Sequence, residues 1–263
     1  MYEALFRLSL VRMALEQSSP IARRLRRTTA SRTLDPSEKG AVNYFLGLTV
    51  CKLFAWKLLQ CPWLMHLDVF RPLLNPVLIG RSRPDLVGEI RGARGWIAIE
   101  CKGRATAPSE DAKAKAKEQA LRLVSVNSSA PVLHVGAFVF FRSNALQFYW
   151  RDPSHDESVK QPINVRIEDT IWRHYYLPVL ELVRSRPDHR AQILQGQPIA
   201  IEELDIQVGI RTEVMPFLDA EQWNEARAVG ERSARGPDEQ GYQIDGIRIV
   251  AGTTWFRPLE DEV

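Results

Sequence analysis

Cysteine is scarce in this 263-residue chain: only Cys51, Cys61 and Cys101 occur. An odd set without metal-binding spacing argues against a disulfide scaffold and fits a reducing, cytoplasmic compartment. The five histidines, His66, His134, His155, His174 and His189, are scattered without metal spacing and read as structural. Also missing is a long unbroken apolar run. The longest apolar helical stretch, 41–59, is interrupted by Asn43, Lys52 and Lys57, which argues against a membrane span. A large charge of one sign is absent as well: 35 Lys and Arg stand against 32 Asp and Glu, for a net +3. That excludes a histone-like polycation and still allows local basic patches. There is no Gly-rich phosphate loop, no Gly-x-Ser-x-Gly and no Cys/His nucleophile pattern, so ATP use is not suggested. What remains is ordinary globular composition, 45% hydrophobic and 25% charged, in a chain long enough for one large domain or two small ones.

The first 20 residues mix Leu and Ala with Glu3, Arg7, Arg12 and Glu16 and lack the continuous apolar core of a secretion signal. A helix is compatible with Leu5, Leu8, Met13 and Leu15. The basic segment that follows, with Arg23, Arg24, Arg26, Arg27 and Arg32, fits either a solvated helical face or a phosphate-contacting arm. It also has the arginine content of an organellar transit peptide, against which Glu3 and Glu16 count.

Asp35-Pro36-Ser37-Glu38 is a strong helix start. Asp35 caps, proline suits the first turn, and Glu38 stands where a capping-box carboxylate would. The helix is expected to run to about residue 60. A strand is expected within 63–71, then a Pro-rich connection. Segments 85–91 and 96–102 read as a hairpin about a Gly-Ala-Arg-Gly turn. A Lys- and Ala-rich helix is expected over about 109–124, strands over 131–141 and 146–151, and a helix over 165–184 with a kink at Pro178. Two further strands, within 201–210 and 242–250, flank a helix near 219–229. The order gives an α/β or α+β fold with a mixed central sheet flanked by helices. It divides into an N-terminal arm (1–34), a core (35–185) and a C-terminal α+β extension (186–263).

The chemistry concentrates in residues 83–104. Glu100 and Lys102 are two apart on one strand and share a face, while Cys101 points the other way into the core. If the hairpin closes around 91–95, Asp85 lies nearly opposite Glu100. Two carboxylates that close repel each other unless a cation neutralises them, and a hard divalent ion such as Mg²⁺, or Mn²⁺ in its place, suits oxygen ligands. Lys102 is then placed to orient a water molecule and offset phosphate charge.

Pro84, Asp85, Glu100 and Lys102 together resemble the signature of the PD-(D/E)xK nuclease superfamily, whose fold is restriction-endonuclease-like. The resemblance covers roughly residues 35–151. It implies Mg²⁺-dependent cleavage of phosphodiester bonds, most often in DNA, in restriction, phage defence or repair. Asp85, Glu100 and the main-chain carbonyl of Cys101 would hold the metal, and Lys102 would serve the attacking water. It also implies a supporting glutamate on the preceding helix, for which Glu38 is the best match and for which a pure capping role is the rival. Some relatives carry a glutamine on the following helix. Gln119 is the candidate, although residue 123 is Leu where that subgroup has a tyrosine.

Glu89 shares a face with Asp85 and is either a further ligand or a solvated acid. Arg81, Arg83, Arg91, Arg94 and Arg104 flank the motif and could hold a nucleic-acid backbone. Lys113, Lys115 and Lys117 form either a wet helix face or a phosphate-contacting row, of which Lys113 and Lys117 are the stronger candidates. A homodimer or a partner motor subunit fits the resemblance. An RNA-cleaving toxin on the same fold and a non-catalytic nucleic-acid-binding module are the alternatives.

Overall fold

The computed structural model describes residues 2–17, 24–70, 74–75, 83–92, 95–152, 159, 161–186, 192, 195–233 and 241–256. The chain forms two compact units. One joins Met1–Ile21 to Asp169–Val263, and the other is Ala22–Glu168. The boundaries differ from those expected at 34/35 and 185/186. Residues 25–27 add a strand to the core sheet, and the helix after residue 170 packs into the other unit's core. The first unit opens with helix α1 (Tyr2–Ala14) and strand β1 (Leu15–Gln17).

The unit 22–168 begins with β2 (Leu25–Arg27) and the short helix α2 (Thr29–Thr33). Helix α3 (Pro36–Leu59) follows its sequence signals closely. The Asp35 carboxylate accepts the N–H groups of Ser37 (2.7 Å) and Glu38 (3.3 Å), and the Glu38 carboxylate accepts the Asp35 N–H at 3.1 Å. Gln60 ends the helix in the left-handed region at φ 55°. By length and composition alone α3 could cross a membrane. Its apolar residues have another explanation, because Cys51, Phe54 and Ala55 pack into a sheet core.

The remaining elements are β3 (Trp63–His66), β4 (Leu74–Asn75), β5 (Leu86–Glu89), β6 (Trp96–Gly103), α4 (Glu110–Leu121), β7 (Leu123–Val126), β8 (Leu133–Arg142), β9 (Ala145–Arg151) and β10 (Ile163–Ile167). Six strands pair in the order β2-β9-β8-β6-β5-β3. Strands β6 and β8 run parallel, joined by the α4 crossover, and the other neighbours are antiparallel. The sheet is therefore mixed, as expected. A second sheet has the order β4-β10-β7.

Two helices expected from sequence are shorter than predicted. The Lys/Ala-rich helix stops at Leu121, and Leu123–Val126 forms β7 beside β10. Residues 163–167 likewise enter that sheet instead of starting a helix. Both segments carry β-branched residues at alternate positions, so strand pairing outweighs a weak helical period.

Close packing of α3 on β6 fixes the site. Alternation along β6 sends Ile97, Ile99 and Cys101 towards α3, where they join Cys51, Phe54 and Ala55 in one core. Glycine makes the approach possible. A Cβ on Gly47 would lie 2.9 Å from the Gly103 nitrogen, and one on Gly103 would overlap the Asn43 carbonyl. Glu100 and Lys102 face the other side, where α4 lies. Ala116 meets Gly136 there, the β8 neighbour of Glu100.

Beyond Glu168 the first unit resumes with α5 (Ile171–Arg184), β11 (Ile199–Ile201), β12 (Ile206–Ile210), α6 (Met215–Asp219), α7 (Trp223–Ser233) and β13 (Ile247–Ala251). Pro178 lies inside α5. Strands β11, β12 and β13 form an antiparallel sheet. The stretch expected as one strand over 201–210 is interrupted by a 3-10 turn at Glu202–Leu204, after which Asp205 adopts φ 48°. Tyr176, Leu180, Ile199, Val208 and Leu218 belong to this unit's core.

Candidate active site

Strand pairing brings the motif together. Leu86 is paired with Ile99, so one further antiparallel step sets Asp85 opposite Glu100. Hydrogen bonds lock the arrangement: the Asp85 N–H donates to Glu100 Oε2 at 3.2 Å, and the Cys101 N–H donates to Asp85 Oδ2 at 2.9 Å. The Asp85 carbonyl accepts the Leu67 N–H at 2.8 Å, tying it to the end of β3. Lys102 reaches back along its own strand to form an ion pair with Glu100 Oε1.

Glu100 has 0% of its surface exposed. Burial, followed by the Asp85 charge, pushes its carboxyl up to about 7 against the partial pull of Lys102. For Lys102, burial acts to lower the pKa. Attraction to Glu100 and then Asp85 outweighs it, so the net shift is upward. The Cys101 thiol is buried against the Cys51 thiol, and burial raises its pKa well above the ordinary value. That side chain belongs to the core; only the main chain of Cys101 faces the carboxylates.

The donor set suits a hard cation. Asp85 and Glu100 offer carboxylate oxygens and Cys101 a carbonyl, and Glu100 Oε1 has no aligned hydrogen bond despite its ion pair. Among the described residues no group of three or more His, Cys, Asp or Glu side chains is assembled for a metal. Mg²⁺ does not require one, since it commonly binds through one or two carboxylates and keeps several waters.

The other expected site residues are placed as follows. Glu38 is exposed and its carboxylate is engaged in the α3 cap. Glu89 is not gathered with the carboxylates. It pairs with Trp96 and Trp63 at the opposite end of β5, four residues and so about 13 Å from Asp85. It contributes there to the environment of the Cys61 thiol, which burial pushes up to about 12. Gln119 is half-buried on α4, and its carbonyl accepts the Arg122 N–H.

Among the basic residues, Arg83 is ion-paired with Asp68. Arg91 lies past the far end of β5, its N–H on the Gln60 carbonyl, away from the carboxylates. Arg104 follows β6, with its guanidinium 5.7 Å from the Phe138 ring centre. Lys113 pairs with Glu110 at 2.6 Å and lies 4.5 Å from the Tyr149 ring centre. Lys117 is half-buried beside Gly136. Arg81 and Arg94 lie outside the described residues.

Sequence reasoning missed a polar chain at the same end of β3 and β5. The Tyr44 hydroxyl is 2.8 Å from His66 Nε2, the Asp68 N–H donates to His66 Nδ1 at 3.1 Å, and Asp68 holds Arg83. The only linear signal for it is the His-Leu-Asp spacing of residues 66–68. Comparison of the chain with family models, with curated proteins and with solved structures returns no match.

Proposed function

We propose that the chain is a Mg²⁺-dependent nuclease of the PD-(D/E)xK type, with a restriction-endonuclease-like core, acting on DNA in preference to RNA in the cytoplasm. The observation that carries this reading is the gathering of Asp85, Glu100 and Lys102 at one end of the β5–β6 pair. The helix-strand-strand-strand-helix-strand order of α3, β3, β5, β6, α4 and β8 supports it, with β8 parallel to β6.

Asp85, Glu100 and the Cys101 carbonyl would hold the cation. When bound, the ion supplies Lewis acidity that lowers the pKa of water and offsets charge on the phosphate. The Asp85 carboxylate is held by the Cys101 N–H, which keeps its second oxygen free to turn towards the site. Glu100, buried with a carboxyl near 7, needs a neighbouring positive charge to ionise fully, and Lys102 or a cation provides it. Lys102 Nζ stands where it can orient the attacking water and stabilise negative charge on the phosphate oxygens. Water attacks in line with the leaving oxygen, so that a new P–O bond forms as the bond to the leaving oxygen breaks; the attacking water gives up a proton to solvent and the leaving oxygen takes one from solvent.

The test is cleavage of plasmid DNA and of RNA with Mg²⁺, Mn²⁺ or EDTA, repeated with Asp85→Ala and Lys102→Ala. The expected result is metal-dependent DNA cleavage by the wild type and loss in both variants. A wild type that cuts neither polymer, or variants that cut as well as it does, overturns the reading.

A further inference from the structure

A cavity of about 630 Å³ lies between α4 and the end of β9, lined in part by Gly136, Tyr149 and Arg151. Its walls carry four cations, Lys113, Lys115, Lys117 and Arg151, against three acids. Glu110, the acid that pairs with Lys113, has a side chain 84% exposed, so an incoming anion can replace it while its carboxylate turns to water. Tyr149 is half-buried beneath the Lys113 ammonium and adds a hydroxyl donor. Cations from two elements, converging on a concavity with an aromatic wall, suit a phosphate that belongs to a larger ligand.

The sheet sets this cavity in register with the carboxylates. Glu100, Gly136 and Arg151 form one cross-strand row, and Lys102, Phe138 and Tyr149 form the next. Residues paired in register share a face, so the cavity opens on the face that carries Glu100 and Lys102, two strands away. Two strand spacings are about 10 Å, so the cavity and the carboxylates lie within reach of one nucleic-acid strand. Helix α4 stands between the two places, with Lys113, Lys115 and Lys117 along it. Gly136 lets that helix lie low on the sheet, since a Cβ there would already be 3.3 Å from the Lys117 main-chain nitrogen.

We infer that the cavity between α4 and β9 is a second anion site, which holds a backbone phosphate of the same nucleic-acid strand that reaches the carboxylates. The identity of the ligand rests on the nuclease reading, while the anion site itself rests on the cavity. Arg151 and Lys117 bind the phosphate, Lys113 exchanges its bond to Glu110 for one to the phosphate, and Tyr149 walls the site.

The experiment is fluorescence anisotropy of a 5′-labelled 20-nucleotide DNA single strand with the full chain in EDTA, from 50 to 300 mM NaCl. Wild type is compared with Lys117→Ala/Arg151→Ala and with Arg151→Glu alone, an exposed strand-end change that the fold tolerates. The double variant is expected to bind about 10-fold more weakly at 100 mM salt. Its log K against log salt slope should be shallower by about 0.7, the value for one lost single-strand phosphate contact. Arg151→Glu is expected to weaken binding at least as much as removal of one contact. If the variants keep the wild-type affinity and slope while the wild type still cleaves DNA, the cavity inference falls and the nuclease reading stands. If the wild type cuts nothing but binds the strand with the predicted slope change, the anion site stands and the nuclease reading falls. A wild type that binds no strand overturns the inference.

Discussion

Asp85 and the strand that carries Glu100 hold each other through reciprocal main-chain bonds: the Asp85 N–H donates to the Glu100 carboxylate, and the Asp85 carboxylate accepts the N–H of Cys101. Each acid is thus oriented by the backbone of the other's strand. Neither can move alone, and the cost is a strongly raised Glu100 pKa, set by burial and then by the nearby Asp85 charge.

That cost has a pH signature in metal-free protein. The folded Glu100 carboxyl titrates near 7, above its ordinary value of 4.5, so between these values the folded chain keeps a proton that the unfolded chain has lost. The stability it contributes is complete below about pH 4.5 and is lost as pH rises through 7. Urea unfolding in EDTA should show stability falling from pH 5 to pH 8 by on the order of 3 kcal/mol, because each pH unit between the two titrations is worth about 1.4 kcal/mol. Glu100→Gln should flatten that dependence. An unchanged slope in the variant would assign the effect to other groups.

A divalent ion relieves the same repulsion and binds only the folded pair. Mg²⁺ at about 100 times its dissociation constant should add about 2.7 kcal/mol of stability, read as a rise in Tm that EDTA reverses. The affinity should increase as pH rises through 7, because binding displaces the Glu100 proton. Asp85→Asn should abolish the shift. A wild-type Tm indifferent to Mg²⁺ and Mn²⁺ at every pH would count against an ion at these carboxylates.

Replacing Lys102 separates chemistry from folding. Its side chain is 37% exposed, so Lys102→Met leaves the core intact. Single-turnover cleavage should fall by about 10²-fold or more, the scale of losing one positioned electrostatic or proton-transfer group. Circular dichroism should be unchanged. A variant that retains cleavage within a few-fold would remove Lys102 from the reaction.

Much of this arrangement was legible in the chain because it is local. Asp85 to Lys102 is one hairpin, in which period-two alternation and a glycine turn fix the register. The Asp35 cap was read from four consecutive residues. Glu89 shows the limit of alternation: it shares a strand face with Asp85, yet strand rise carries it about 13 Å away. The Tyr44–His66 contact and the cavity wall formed by Tyr149 and Arg151 depend on which strands become neighbours, which linear spacing does not encode. Strand β7 was hidden because a helical period ran into it from α4, and its pairing partner lies some 40 residues on.

Gly103 was equally silent in the sequence, since it looks like a turn residue after the acid-x-Lys. In the fold it is the point where α3 crosses β6, and any Cβ there overlaps the Asn43 carbonyl. Backbone cannot rotate aside as a side chain can, so Gly103→Ala should cost about 3 kcal/mol or more, at the upper end for overpacking. The helix would have to retreat from the strand that holds Glu100 and Lys102. Cleavage and Mg²⁺-dependent stabilisation should therefore fall together with stability. Glu38→Ala makes the contrast, because its carboxylate closes the Asp35 cap at the start of the same helix. It should cost about 1 kcal/mol with cleavage nearly unchanged, and Glu38→Gln should recover most of that stability. A Glu38→Gln variant that is fully stable but inactive would move Glu38 from the cap to the chemistry.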